Sequence, residues 1–282
     1  MRSPADNAQL ALLLEVAGTP KPGNVDRDRE YESLRFEHFL AGAVGAGEGL
    51  RAAEHGDPLG AAFERSVEGM SHQNGGNTQF GCLLNLVPLV RAASEGELTT
   101  DGVRACCAAT TVDDACAFYR AFEHVDVAVD DPPDDTTLPD VRRGAAATTA
   151  VRARGLTLWD VMTGSAASDA NAEEWTTGFP RAFAASEDSL ADDGPATDRA
   201  ARAFLRLLAE GPDTLVAVQH GADAAETVRE RAAAVGTDLD AAAELADEFV
   251  AEGINPGTTA DITAAALFIA LERGWHHVLL KT

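Results

Sequence analysis

NTQFGCLLNLVPLVRAASEG, residues 77–96, is the stretch that decides the fold. Asn77 or Thr78 offers a helix cap, and from Phe80 to Val90 nearly every position is apolar. A helix that is apolar all round has no face to give to water, so it belongs at the centre of a larger body. Pro88 would kink it. A central helix must be wrapped by others, and the flanking sequence supplies them. Apolar residues recur at helical spacing over 7–18, 36–56 and 58–72, then over 101–125 as one or two helices. They recur again at about 140–154, 157–167, 179–191, 196–210, 213–235, 239–252 and 262–274. The spacing predicts an all-α fold of roughly eleven to thirteen helices in a single domain over 1–282. A Pro/Asp-rich stretch near 126–140 reads as an exposed loop. HHVLLK (276–281) is the one strand candidate, too short and isolated to imply a sheet.

The chain carries 46 Asp and Glu against 22 Lys and Arg, a formal charge of −24. Such a balance excludes nucleic acid and anionic membrane surfaces as partners, because both need basic surface. The acid is spread in pairs such as Asp113-Asp114 and Asp192-Asp193, and only two lysines occur, Lys21 and Lys281. This composition resembles that of proteins from salt-loving archaea, where short screening lengths tame self-repulsion. No stretch approaches a membrane span, and the N-terminus lacks the basic and apolar regions of a signal peptide. Cys82, Cys106, Cys107 and Cys116 form no C-x-x-C pair and read as reduced thiols of a cytoplasmic protein. The oligomeric state is left open, a homo-oligomer included.

Several catalytic motifs are absent. There is no phosphate-binding G-x-x-x-x-G-K-[ST], no H-E-x-x-H and no G-x-S-x-G. What remains is a set of polar, glycine-containing junctions that open apolar helices. One is HQNGGNTQFGCLL (72–84), with Gly75, Gly76, Asn77 and Thr78; another is INPGTTADITAA (254–265), with Asn255, Gly257, Thr258 and Asp261. Exposed backbone N–H groups at such helix starts can bind anions, although each junction taken alone is also ordinary capping. A third segment is TPKPGNVD (19–26). Pro20 and Pro22 hold it extended, Gly23 lets backbone approach a ligand, and Thr19 and Asn24 add polar groups. Lys21 there is expected to meet a phosphate, and Asp26 to hold a cation.

Five segments in this order carry a resemblance: EVAGTPKPGNVD (15–26), HQNGGNTQFGCLLNLVPL (72–89), NAEEWTTGFP (171–180), GPDTLVAVQHG (211–221) and GINPGTTADITAAALFIA (253–270). They resemble the blocks of the triphosphoribosyl-dephospho-CoA synthase family, in its archaeal branch. The resemblance implies an all-helical transferase that uses ATP as a triphosphoribosyl donor. In that chemistry the 2′-hydroxyl of dephospho-CoA attacks C1′ of the ATP ribose and adenine leaves. It implies Mg²⁺ with the nucleotide, a triphosphate cradle at Lys21, Gly75, Gly76, Asn77 and Thr78, and working carboxylates among Asp26, Glu174, Asp213 and Asp261. Asp26 and Asp261 are the expected metal ligands.

The chain also departs from the family. Family members carry Thr-His-Lys-Gly where this chain has NTQFG (77–81), and Arg-Gly-Glu-Ala where it has NAEEW (171–175). The donor side is kept while some basic residues are replaced. Two alternatives therefore stay open: a related transferase acting on another coenzyme precursor, such as a pterin, and a non-catalytic nucleotide-binding protein.

Overall fold

The computed structural model describes residues 2–129 and 138–275. Among these, sixteen α-helices and one 3₁₀ helix (Val141–Ala147) form, and no strand does. The all-α expectation holds. The helices outnumber the expected eleven to thirteen because several apolar runs are cut by short breaks. The 36–56 run divides at Ala46 into α2 (Phe36–Gly45) and α3 (Gly47–His55). Within 101–125, α6 (Thr100–Ala108) ends before Thr111, which caps α7 (Val112–Ala121) by accepting from the Asp114 N–H. In 213–235, Gly221 at φ +92° separates α13 (Thr214–His220) from α14 (Ala222–Val235). One helix was not expected at all. Asp169 accepts from the Asn171 and Ala172 N–H groups and so starts α10 (Ala170–Thr177).

The central helix, α5 (Phe80–Ser94), begins where Asn77 accepts from the Phe80 N–H, and it continues through Pro88. It packs against α16 (Gly257–Glu272), which is equally apolar and is buried from Thr258 to Leu271 apart from Asp261, which is half-buried. Around this pair stand α1 (Pro4–Ala17), α3, α11 (Pro180–Ala191) and α12 (Ala196–Glu210). A smaller apolar cluster around Phe204, Val228 and Phe249 joins α12 and α14 to α15 (Leu239–Glu252). Flanking elements are α4 (Leu59–Met70), α8 (Thr148–Arg154) and α9 (Leu158–Ser165). Most of the expected loop near 126–140, and the strand candidate at 276–281, lie outside the described residues. No described helix is long and apolar enough to cross a membrane.

Candidate active site

Three long-range junctions bring helix starts to one place. The first residues of α5, α10 and α16 all border a cavity of about 450 Å³. Asn77, Thr78, Gly81 and Cys82 come from α5 and its entry, Asp169 and Asn171 from α10, and Gly257, Thr258 and Asp261 from α16. Asn24 and Asn255 complete the polar end. Four stretches far apart in sequence, at 24, 77–82, 169–172 and 255–261, therefore meet at one cavity. Part of the lining is apolar: Phe80, Phe118 and Phe122 contribute to it, their rings in edge-on or tilted contact at 4.8–6.5 Å. The lining carboxylates are Glu15, Asp126, Asp140, Asp169 and Asp261, and among the described lining residues there is no lysine, arginine or histidine.

Asp261 is the carboxyl at the heart of the polar end. Its Oδ2 accepts from Asn171 Nδ2 at 2.9 Å, and its Oδ1 accepts from Cys82 Sγ at 3.2 Å. A β-carbon on Gly81 would lie 1.9 Å from Oδ2, so only glycine leaves the carboxyl its room. Burial pushes the Asp261 pKa up to about 7; the Asn171 and Cys82 hydrogen bonds pull it down, and nearby Asp213 and Glu15 push it further up. All its hydrogen-bond partners are uncharged. Burial likewise raises Asp169, and drives the Cys82 thiol well above its usual range.

The loop 19–26 lies just behind this wall. Lys21 is fully buried, and its ammonium donates to Glu15 and, at 2.9 Å, to Asn24 Oδ1. It stands 5.8 Å from the Phe204 ring centre. Glu15 reaches the cavity; burial raises its pKa and Lys21 opposes the rise. Asp26 accepts from the backbone N–H groups of Lys21 (3.0 Å), Asp28 (2.8 Å) and Arg29 (2.9 Å) and from the Thr19 hydroxyl (2.9 Å). Both of its oxygens organise the loop, and it does not share the cavity wall with Asp261. Gly23, at φ +75°, lets the backbone pass the Ile254 carbonyl, which a β-carbon would meet at 2.3 Å.

The remaining expected carboxylates hold helices. Glu174 accepts from the N–H groups of Arg181 (3.3 Å) and Ala182 (3.1 Å) at the start of α11, and burial pushes it up to about 7. Asp213 caps α13 through Val216 and accepts from both the N–H and the hydroxyl of Thr259 at 2.7 Å. Neither lines the cavity. The Gly-Gly turn is also more structural than expected. The Gly75 N–H donates to Gln73 Oε1, and the missing β-carbon makes room for the His38 ring. Gly76 adopts φ +69° and its carbonyl accepts from Gln73 Nε2. Sequence reasoning missed Glu15, Cys82, Asp169 and Asn171. Glu15 had a usable signal: it is the lone charge on the apolar side of α1.

Fold and site together define a helical protein whose ligand cavity is built from helix N-termini around the half-buried carboxyl of Asp261. The chain matches the profile of CitG, described as ATP:dephospho-CoA triphosphoribosyl transferase, over residues 1–278, and so belongs to that family. It is also similar in fold to a crystal structure from Archaeoglobus fulgidus, provisionally described as a triphosphoribosyl-dephospho-CoA synthase. That match has a TM-score of 0.69 and 23% identity, and covers 84% of this chain and 99% of the other. No curated protein sequence matches the chain.

Proposed function

We propose that this cavity carries out the family's reaction, transfer of the triphosphoribosyl group of ATP to dephospho-CoA, with Asp261 as general base. The observation that carries this is the Asp261 carboxyl itself, held among three helix starts with a pKa near 7. A base poised there can take a proton at neutral pH. Asp261 accepts the proton of the acceptor's 2′-hydroxyl as its oxygen bonds to C1′ of the ATP ribose. The bond from C1′ to adenine breaks, and adenine leaves with that electron pair and takes up a proton. The triphosphate stays on the transferred sugar.

The positive ends of α5, α10 and α16 supply about half a charge each toward the triphosphate. Asn77, Thr78 and Thr258 add side-chain donors. The Thr78 hydroxyl is buried without a partner in the structure, as a group waiting for a ligand would be. Mg²⁺ arrives on the nucleotide. No described group of three or more His, Cys, Asp or Glu side chains is arranged to hold a metal, but a nucleotide-borne Mg²⁺ needs only one or two carboxylates. Lys21 acts one step back, by holding Glu15 and Asn24 in place.

A second acceptor has one observation in its favour. The described wall offers no basic side chain to the diphosphate of dephospho-CoA, so a less anionic coenzyme precursor, such as a pterin, also fits. Incubation with Mg-ATP and dephospho-CoA in molar KCl tests both readings. Stoichiometric adenine release and a product heavier by one triphosphoribosyl unit are expected. ATP left intact with dephospho-CoA but consumed with a pterin would replace the first reading by the second. Release of ADP and phosphate instead of adenine would overturn both.

A further inference from the structure

An asparagine amide presents N–H on one side and a carbonyl on the other, and its neighbours decide which way round it sits. Two asparagines far apart in sequence, Asn24 and Asn255, line the cavity side by side. Their orientation is fixed from behind. The ammonium of the fully buried Lys21 only donates, so the oxygen of Asn24 must face it, and Lys21 Nζ reaches Asn24 Oδ1 at 2.9 Å. Asn24 Nδ2 then faces the other way and donates to Asn255 Oδ1 at 3.0 Å. Both ends of the Asn24 amide are therefore used. Asn255 is fixed in turn. Its oxygen is committed to Asn24, and its Nδ2 has no partner among the described residues. Backbone bonds hold both residues in place: the Asn24 N–H donates to the Lys21 carbonyl at 3.1 Å, and the Asn255 carbonyl accepts from the Gly257 N–H at 2.9 Å at the head of α16.

We propose that Asn255 Nδ2 donates to a phosphate oxygen of the bound nucleotide, and that Lys21 and Asn24 are positioning residues that keep this N–H, and not the carbonyl, available to the cavity. This rests on the cavity binding Mg-ATP. Among the described lining residues no basic side chain meets the phosphates, so oriented neutral donors must do so. Lys21 sends polarity into the site instead of charge. Its ammonium is neutralised by Glu15, which also masks a lining carboxylate that would otherwise repel a phosphate. The amide chain passes on only the direction of a donor. That donor emerges beside the positive start of α16, so both act on the same anion. Without the chain, the Asn255 carbonyl could turn to the ligand as readily as its N–H.

The test is Mg-ATP binding to the intact chain by calorimetry in molar KCl. Asn255→Ala removes the donor and should weaken Mg-ATP about tenfold, the scale of a hydrogen bond to a charged group. Asn24→Asp keeps the shape and still accepts from Lys21, but it accepts from Asn255 as well. It turns the Asn255 amide round and sets the carbonyl toward the phosphate, so its loss should exceed that of Asn255→Ala. The added charge is a rival cause, and the double variant separates the two. With Asn255→Ala already present, Asn24→Asp should cost no more than about twofold. Asn24→Ser, too short to join Lys21 to Asn255, adds no charge and serves if Asn24→Asp does not fold. It should weaken Mg-ATP about twofold or more, since at best half of the freed amides face correctly, and should have no effect beside Asn255→Ala. Mg-ATP bound as tightly by Asn255→Ala as by the parent overturns the donor. Equal losses from the position-24 variants with and without Asn255 overturn the positioning role. Either result leaves the proposed reaction standing where the parent still releases adenine. A parent that binds no Mg-ATP overturns that reaction, and this inference with it.

Discussion

Two carboxyls, a buried Glu15 and a half-buried Asp261, stand on the same cavity with opposite surroundings. Glu15 faces a lysine ammonium sealed in with it. Asp261 faces an amide, a thiol and a glycine. A buried charge with a counter-charge forms a neutral unit, and its work is to hold a loop. A buried carboxyl with only neutral donors is held near the edge of ionisation, where a proton can be exchanged at neutral pH. The lone lysine that draws attention in the sequence belongs to the first kind. The chemistry belongs to the second.

The largest expected effect follows from Asp261. Asp261→Asn keeps the shape and removes the base, so kcat should fall by about 10²–10⁴. Stability should change in the opposite direction. The folded-state pKa of about 7 lies above the unfolded carboxyl value. A raised carboxyl costs the fold nothing at low pH, begins to cost it as pH rises past about 4, and costs it fully above about 7. Asp261→Asn should therefore melt higher than the parent at pH 8 and about equally at pH 4. Glu174 is shifted the same way, so part of the parent's loss between these values will survive in the variant. Calorimetry at both pH values, beside adenine-release kinetics, checks both halves. A variant that loses activity and stability together would make Asp261 a structural residue like Glu15.

Second in size is Lys21→Ala. If Lys21 were simply a phosphate ligand, its loss would weaken ATP binding and leave the melt alone. The buried pair says otherwise. Removing the ammonium strands Glu15 without its partner, at a cost of about 3–5 kcal/mol. Lys21→Met combined with Glu15→Gln removes both charges and should recover most of that stability. Urea titrations of parent, single and double variants decide it. An unchanged midpoint in Lys21→Ala with weakened Mg-ATP binding would erase the contrast between the two sites and return Lys21 to the triphosphate.

Much of this architecture is legible in the sequence, and the limits have physical causes. The runs that became α5 and α16 announce themselves because no polar face interrupts them. The junctions at 77–78 and 255–261 are visible as polar, glycine-bearing helix starts and both border one cavity, whereas the start of α10, capped by Asp169 with no glycine before it, is not legible as one. What each carboxylate does is not visible. Asp26, Glu174 and Asp213 sit in the same kind of block as Asp261, yet each spends its oxygens on nearby N–H groups. Capping and catalysis use the same residue in the same local sequence, and only the three-dimensional partner separates them. Glu15, a charge set among the buried residues of α1, lines the cavity, which the isolated lysine does not. A polar group placed where burial is certain must have a partner.

The smallest expected effect separates surface charge from buried charge. The net charge of −24 is spread over exposed carboxylates. Raising KCl from 0.1 to 2 M shortens the screening length severalfold, to a few ångströms. The parent's melting temperature should rise accordingly. The Lys21–Glu15 pair is beyond the reach of counter-ions, because both side chains are sealed. The stability difference between parent and Lys21→Ala should therefore change by no more than about 0.5 kcal/mol across the same salt range, even as both proteins become more stable. Paired urea titrations at the two salt concentrations measure it. A difference that collapses in 2 M KCl would mean that ions reach the pair, and that the loop 19–26 opens to solvent where the structure closes it.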